Sequence, residues 1–305
     1  MKKLTIFFWV LLIVFNSCSR HKDDALTSAE NRAASGDLKG AVGEYDAIIA
    51  THPKKPAVWF NRGIAKYKLD DFAGAITDMG KVIELAPKKI EAYKIRGCAR
   101  VKTNDNDGAI RDLDMFLANR PKDGEAIRFR GFAKLKKNDL QGALADLNKV
   151  ISIRDKDGDA FNKRGEVKFQ TGDVQGAIAD QSAALAISPN FATALLDRGI
   201  AKLSLGKTDE ALDDFNKAIA ISPKYGKVYA NRGKTYIKKG KGYYQAAMAD
   251  FAKALEINPK LGEVYLNRGS LFLTMGSKKE ACADLNKAVS LGVKEAEELS
   301  RKNCK

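Results

Sequence analysis

Small and apolar residues recur along the chain with a period of 34 residues. A glycine follows an arginine seven times, and each step between these pairs is 34 residues except the last, which is 36. The pairs are Arg62-Gly63, Arg96-Gly97, Arg130-Gly131, Arg164-Gly165, Arg198-Gly199, Arg232-Gly233 and Arg268-Gly269. A unit of this length cannot bury its apolar face alone, so the pattern predicts a stack of repeats.

An alanine and an acid keep the same phase in every unit. The alanines are Ala41, Ala75, Ala109, Ala143, Ala177, Ala211, Ala247 and Ala281, the first belonging to a divergent opening unit in which Ala29 replaces the glycine. Three residues later stand Glu44, Asp78, Asp112, Asp146, Asp180, Asp214, Asp250 and Asp284. Glycine on one helix and alanine on the next would let the two backbones approach closely.

A break between the glycine and the alanine divides each unit into two helices. It carries Gly36, Asp70, Asn104, Asn138, Gly172, Gly206, Gly240 or Gly276, which are residue types that tolerate a left-handed backbone. In the first five units an aspartate follows, where it can cap the next helix. Proline closes most units, because the residue before a proline avoids the helical region. The expected unit is therefore helix, turn, helix.

Two further columns make the chain resemble the tetratricopeptide repeat family. Four residues before the glycine stand Trp59, Tyr93, Phe161, Leu195, Tyr229 and Tyr265, with Ile127 as a weaker fit. Four residues after the alanine stand Tyr45, Met79, Leu113, Leu147, Phe215, Phe251 and Leu285, with Gln181 as a weaker fit. The resemblance implies an all-α, right-handed superhelical solenoid of about eight helix-turn-helix repeats.

The resemblance covers residues 22–295, with a two-residue insertion near Gly242-Tyr243 in the seventh repeat. The expected repeats are 22–55, 56–89, 90–123, 124–157, 158–191, 192–225, 226–261 and 262–295. Residues 293–305 would form the C-terminal cap that a solenoid needs.

Two charged columns depart from the family pattern. Arginine precedes the glycine where the family commonly has an apolar residue, and in repeats two to six a base follows three residues after the glycine. We expect the arginines to pair with the acid column on the neighbouring helix, which would contribute at most about 1 kcal/mol for each exposed pair. The alternative is a solvated charged stripe.

The first residues of the chain resemble a bacterial lipoprotein signal. Lys2 and Lys3 precede a short apolar run, and Phe15-Asn16-Ser17-Cys18 resembles a lipobox whose cysteine becomes the lipidated first residue. Residues 1–17 would be the signal peptide and 18–24 a lipidated tether, which implies a lipoprotein similar to those of Bacteroidetes. An ordinary secretory signal is the alternative. The expected location is the cell envelope, as an outer-membrane lipoprotein facing the periplasm or the cell surface.

The chain is basic, with 53 Lys and Arg against 38 Asp and Glu and a net charge of +15. Without Lys2 and Lys3 there are 51 bases against 38 acids, which leaves +13. At the envelope this balance favours acidic protein segments, anionic glycans or lipid headgroups over nucleic acid. The alternative is scattered lysine that keeps the solenoid soluble.

Three cysteines remain if Cys18 carries lipid. Cys282 follows the alanine of the last repeat, and Cys304 ends the expected cap, so a disulfide between them would staple the cap in an oxidising compartment. Cys98 follows a helix glycine and is expected to be packed.

Catalytic chemistry is not indicated. The two histidines are His21, in the tether, and His52, beside a turn proline, so neither a metal cluster nor a catalytic triad is assembled. No glycine-rich phosphate loop is present. We therefore expect no enzyme activity, no cofactor and no metal.

In the resembled family, the first helices line a concave groove that binds peptides. The inward positions would be three before, one after and five after each glycine. In repeats two to four these give a basic groove with apolar inserts, suited to an acidic peptide: Phe60, Ile64, Lys68, Lys94, Cys98, Lys102, Arg128, Phe132 and Lys136. The same positions in repeats five to eight are more mixed: Asn162, Glu166, Gln170, Leu196, Ile200, Ser204, Ala230, Lys234, Lys238, Leu266, Ser270 and Thr274.

These features predict an adaptor or assembly scaffold at the cell envelope that binds a partner's peptide or loop. The alternative function is a receptor for an anionic glycan or another acidic ligand. Aromatic side chains inside the groove would favour sugars. Solvated helix faces remain a third interpretation of the basic residues.

Overall fold

The computed structural model describes residues 25–304, and the regular elements in that range are helices. The predicted signal peptide, Cys18 and the tether lie outside the described residues. The chain divides after Arg154 into two compact units, which are described separately as unit 1 and unit 2.

Unit 1 contains eight helices within its described residues. They are α1 (described over 25–34), α2 (Leu38–Thr51), α3 (Pro56–Lys68), α4 (Phe72–Leu85), α5 (Ile90–Lys102), α6 (Asn106–Asn119), α7 (Gly124–Lys136) and α8 (Leu140–Ile153). Within the unit α3 packs on α4, α5 on α6 and α7 on α8, and the first helices α3, α5 and α7 also contact in sequence.

Unit 2 continues the same alternation and ends in one additional helix. Its helices are α9 (Gly158–Gln170), α10 (Val174–Ile187), α11 (Ala192–Ser204), α12 (Thr208–Ile221), α13 (Gly226–Lys239), α14 (Tyr244–Ile257), α15 (Gly262–Thr274), α16 (Lys278–Ser290) and α17 (Lys294–Asn303). A short 3₁₀ helix, Lys241–Tyr243, accommodates the insertion between α13 and α14. The all-α repeat solenoid is confirmed, and α17 is its expected C-terminal helix.

The turns inside the repeats have the predicted backbone. The break residues lie at positive φ: Gly36, Asp70, Asn104, Asn138, Gly172, Gly206, Gly240 and Gly276. Asp37, Asp71, Asp105, Asp139 and Asp173 then accept a backbone N–H three residues on, at 2.9 to 3.0 Å, which confirms the predicted caps. The chain therefore reverses within a few residues and starts the second helix at a fixed place.

The small-residue columns bring the two helices of each repeat together. All eight alanines of the column are fully buried, and the large residues four positions later are at most 1% exposed. A Cβ added to Gly199 would lie 2.5 Å from Cε1 of Phe215, whereas one added to Gly165 would lie 3.1 Å from the carbonyl oxygen of Ala177. Close approach, rather than backbone conformation, requires glycine at these helical positions.

We predict that Gly199→Ala destabilises the protein by about 1–3 kcal/mol, because the fully buried Phe215 must move aside. Gly43→Ala is the matched control, since Gly43 lies inside α2 with open space around its Cα. That control should be stabilising by about 0.5–1 kcal/mol. Chemical denaturation of both variants measures the difference, and equal effects would argue against the close contact.

A bidentate ion pair joins the two helices of each repeat from the second to the eighth. The arginine before the glycine donates through Nε to Oδ2 of the column aspartate at 2.7 to 2.9 Å and through Nη2 to Oδ1 at 2.6 to 2.8 Å. The aspartates are at most 6% exposed. The expected pairing is confirmed, and the solvated stripe is wrong for these columns. We call this series the Arg–Asp ladder.

Further groups surround each carboxylate of the ladder. In repeats two to six, the base three residues after the glycine also contacts the aspartate of the ladder. The nitrogens that lie 2.7 to 3.2 Å from the aspartate oxygens belong to Lys66, Arg100, Lys134, Lys168 and Lys202. Arg130 also donates to Asp114 of the preceding repeat at 2.7 Å, and Arg232 donates to Asn216 at 2.6 Å. The ladder therefore links neighbouring repeats as well as the two helices of one repeat.

Burial changes the energetic expectation for these pairs. The limit of about 1 kcal/mol applies to exposed ion pairs, whereas breaking a buried pair by removing one partner costs about 3–5 kcal/mol. The cost is large because the remaining charge loses its partner in a region with little water. The ladder consequently constrains how the helices can pack.

We predict strong coupling between Arg268 and Asp284 in a double-mutant cycle. Asp284→Ala alone should cost about 3 kcal/mol, because the half-buried Arg268 loses both of its hydrogen bonds to that carboxylate. The control cycle uses the exposed pair Lys253 and Glu256, for which we expect no measurable coupling because water screens both charges. Purely additive losses at Arg268 and Asp284 would disprove the structural role of the pair.

The C-terminal helix is held by apolar packing and by a disulfide. Ala296 is fully buried and packs with Ala288 and Val293 against Tyr265 and Leu266. Cys282 and Cys304 are joined in a disulfide that spans 22 residues of sequence. Closing a loop of this size restricts the unfolded chain and contributes about 3 kcal/mol in the chain-entropy account.

Candidate peptide-binding surface

The predicted groove positions of unit 1 lie on the first helices α3, α5 and α7. Ile64 and Lys68 line a pocket of about 240 Å³ together with Leu38 and Tyr45 of α2. Asn61, from the same face of α3, donates from Nδ2 to Oε1 of Glu30 on α1 at 2.8 Å. The first and second repeats together therefore form a partly apolar recess with the ammonium group of Lys68 in its lining.

Lys94 is already paired with acids of its own chain. Its Nζ lies 3.0 Å from Oδ2 of Asp123 and 2.8 Å from Oε2 of Glu125, both at the start of the following repeat's first helix. Burial acts to lower the pKa of Lys94, but hydrogen bonds to Glu125 and Asp123 and their charges outweigh it, so the net pKa is raised. Lys94 is therefore protonated and neutralised locally, which leaves it less able to attract a partner than the sequence indicated.

Three other predicted lysines are exposed and differ from Lys94 in having no acidic partner among the described residues, although Nζ of Lys102 lies 5.7 Å from the ring centroid of Phe129. Lys68, Lys102 and Lys136 are the last residues of α3, α5 and α7, and all three are exposed. None of their ammonium groups has an ion-pair partner in the part of the chain that the structure describes. We call these three residues the lysine row.

Aromatic and sulfur groups lie beneath this charged surface. The guanidinium of Arg128 lies 5.5 Å from the ring centroid of Phe129 and 6.0 Å from that of Phe132, while Nζ of Lys89 lies 4.9 Å from the ring of Phe60. Burial raises the pKa of the Cys98 thiol to about 12, so this cysteine is packed and uncharged. The two predicted phenylalanines are thus already covered in part by cations of the same chain.

The corresponding surface of unit 2 has a different character. Asn162 is 1% exposed and donates from Nδ2 to Oδ2 of Asp197 at 3.2 Å, while Lys163 donates to Oε2 of Glu166 at 2.7 Å. Burial raises the pKa of Asp197 to about 6. The sequence placed Asn162 and Glu166 on this face but missed Asp197. The one available signal was an acid two residues before the glycine, a position that is asparagine in three other repeats.

No metal or membrane-spanning element is found in the described range. Among residues 25–304, no group of three His, Cys, Asp or Glu side chains is placed to hold a metal ion. No helix of that range is long and apolar enough to cross a membrane.

Family models match the chain over most of its length. The tetratricopeptide repeat description matches residues 26–89, 96–160, 226–261 and 262–291, and the related TPR repeat description matches 201–240. The chain belongs to the tetratricopeptide repeat family. No curated protein is significantly similar to it in sequence.

Solved structures of tetratricopeptide repeat type are similar to the chain. A tetratricopeptide repeat protein from Parabacteroides merdae is 21% identical with a TM-score of 0.65, and the match covers 82% of this chain and 99% of that one. The Cut9–Hcn1 hetero-tetramer of APC/C is 14% identical with a TM-score of 0.71, over 92% of this chain and 55% of that chain. MamA from Desulfovibrio magneticus RS-1 is 18% identical with a TM-score of 0.52, over 56% and 96%. At these identities the similarity establishes the fold alone.

Tetratricopeptide repeats generally act as protein-interaction modules without catalytic activity of their own. The chain has the fold of such a module. The distribution of paired and unpaired charges on that surface is the feature that distinguishes one binding preference from another.

Proposed function

We propose that the protein is a non-enzymatic adaptor at the cell envelope that binds an acidic peptide segment of another protein on unit 1. The observation that carries this proposal is the lysine row. Lys94 and the bases of the Arg–Asp ladder are engaged by acids of the chain, whereas Lys68, Lys102 and Lys136 have no such partner among the described residues.

The spacing of the lysine row suits an extended chain. Its members stand at the same position of three successive first helices, and packed helices lie roughly 10 Å apart. An extended peptide rises about 3.3–3.6 Å per residue, so carboxylates about three residues apart would reach successive ammonium groups. A partner segment with regularly spaced Asp or Glu matches this surface.

The pocket beside Lys68 would add apolar contact to this binding. Its volume of about 240 Å³ is suited to one large side chain, and Ile64, Leu38 and Tyr45 contribute to its walls. Burying an apolar side chain there, next to the first ammonium of the row, would fix the register of the peptide. A charged surface alone would not do so.

An anionic glycan is the competing ligand. Sugars in protein sites commonly pack against open aromatic faces, but Lys89 lies over Phe60, and Arg128 lies near Phe132. These contacts favour an acidic peptide.

The position at the envelope is part of the same proposal and comes from residues 1–24. A lipid on Cys18 would hold the solenoid at a membrane, since each buried methylene of an acyl chain contributes about 0.8 kcal/mol. The basic mature chain would then act next to other envelope proteins rather than next to nucleic acid.

We expect Cys18→Ser to abolish incorporation of labelled palmitate and to move the protein from the membrane fraction to the soluble fraction. Cys98→Ser is the control and should leave both readouts unchanged, because Cys98 is buried in the repeat array. Membrane retention of the Cys18→Ser protein would contradict lipid anchoring. Protease treatment of intact cells then separates the cell surface from the periplasmic face.

We expect the variant Lys68→Glu/Lys102→Glu/Lys136→Glu to recover its crosslinked envelope partner about tenfold less efficiently, because three attractive charges become repulsive. The control is Lys149→Glu/Lys217→Glu/Lys287→Glu, which makes the same change in net charge at exposed positions of the second helices. A glycan array is probed in parallel. Equal losses in both variants, or a glycan ligand lost with the lysine row and no peptide partner, would refute the peptide proposal.

A further inference from the structure

Asn162 on α9 carries a buried hydrogen-bond acceptor that the fold does not satisfy. The residue is 1% exposed, and its Nδ2 donates to Asp197 at 3.2 Å. Its Oδ1 has no hydrogen-bond partner among the described residues. A buried acceptor without a donor is costly, so this carbonyl marks a place where a ligand group with an N–H would be favourable.

Asp197 on α11 accepts a hydrogen bond from the amide of Asn162 and is a partly buried acid without an ion pair in the described range. Within the described residues, the neutral amide of Asn162 donates to its carboxylate, and no Lys, Arg or His nitrogen is close enough to form a salt bridge with it. Burial raises the pKa of Asp197 to about 6, and the charge of Glu166 adds to the effect, while the hydrogen bond from Asn162 and the charges of Lys163 and Lys227 act in the opposite direction. Lys163 itself is engaged by Glu166.

The raised pKa has a definite consequence for stability. A carboxyl whose folded-state pKa exceeds its unfolded value stabilises the fold most in its protonated form, and this contribution is lost as the pH rises through the folded pKa. At neutral pH the ionised Asp197 therefore opposes folding. A cation placed next to it would remove that penalty, because an opposite charge favours the ionised carboxylate.

We propose that Asn162, Glu166 and Asp197 form a subsite on unit 2 for the ammonium group of a lysine in a bound peptide. The ammonium has three N–H donors, which suit the free Oδ1 of Asn162 and the carboxylate of Asp197, while Glu166 adds negative potential. The inference rests on the proposed peptide-binding function of the first helices. It gives unit 2 a preference for basic segments, opposite to that of the lysine row.

The charge of the ligand distinguishes this subsite from a simple backbone contact. A peptide amide N–H would satisfy Oδ1 of Asn162 but would leave the partly buried Asp197 without a counter-charge. A lysine ammonium would donate to Oδ1 of Asn162 and would also supply a counter-charge to the carboxylate of Asp197. The presence of two acids and one carbonyl at neighbouring positions of α9 and α11 therefore favours the cation.

The test is a selection from a library of random peptides with the full-length chain, followed by affinity measurements on the selected peptides by fluorescence anisotropy. We expect one class of peptides to contain a lysine. This class should bind about tenfold more weakly when that lysine is Nε-acetylated, and about tenfold more weakly to Asp197→Asn. Asp213→Asn is the matched control, because Asp213 is an exposed acid on the next helix and its change alters net charge equally.

The outcomes separate this subsite from the lysine row. Lysine peptides that keep their affinity for Lys68→Glu/Lys102→Glu/Lys136→Glu but lose it with Asp197→Asn support the subsite. Absence of a lysine class, equal binding of the acetylated peptide, or equal losses in Asp197→Asn and Asp213→Asn would overturn it. The acetylated peptide tests the wild-type protein, so the result does not depend on how any variant folds. If only acidic peptides are selected, the proposal for the lysine row is supported and the proposal for the lysine subsite is refuted.

Discussion

The bidentate pair between an arginine of the first helix and a buried aspartate of the second is the interaction on which each repeat from the second to the eighth depends. Both oxygens of the aspartate are engaged, and the arginine lies against the Gly/Ala contact where the backbones approach. A guanidinium fork accepts little variation in geometry, so the pair fixes the distance and rotation between the two helices. Neighbouring contacts such as Arg130 with Asp114 extend the same constraint from one repeat to the next.

This arrangement divides the charges of the chain into two groups. Most bases of the first helices, including Lys66 and Lys94, are turned to acids of the chain and hold the fold together. The lysine row is exposed and has no acidic partner among the described residues, and the partly buried Asp197 has no counter-charge there. Net charge therefore describes the surface of this protein poorly. The binding preference depends on which charges the fold leaves unsatisfied.

The two units consequently offer different chemistry on their first helices. In unit 1 the ends of α3, α5 and α7 carry ammonium groups beside a partly apolar recess, which suits carboxylates and one large side chain. In unit 2 the amide N–H of Asn162 on α9 donates to the carboxylate of Asp197 on α11, while the amide carbonyl is left without a donor among the described residues, and this is the arrangement that we propose suits a cation. A repeat architecture permits this, because the packing columns can stay constant while the groove positions vary from one repeat to the next.

The sequence by itself determined the repeat, the position of each turn, the caps and the buried columns. Each of these depends on what one residue type permits at one place, such as a left-handed backbone at Asn104 or a close approach at Gly199. The repeat pattern also predicted that the arginines pair with the acids, but it did not predict that the aspartates are buried or how much free energy is lost when a pair is broken. Only the tertiary structure decided which charged side chains form ion pairs within the chain. Lys94 meets Asp123 across 29 residues, and Asn162 meets Asp197 across 35, so neither contact exists until successive repeats stack. Burial and electrostatic satisfaction depend on all neighbours at once, which is why a residue's type and its column could not reveal them.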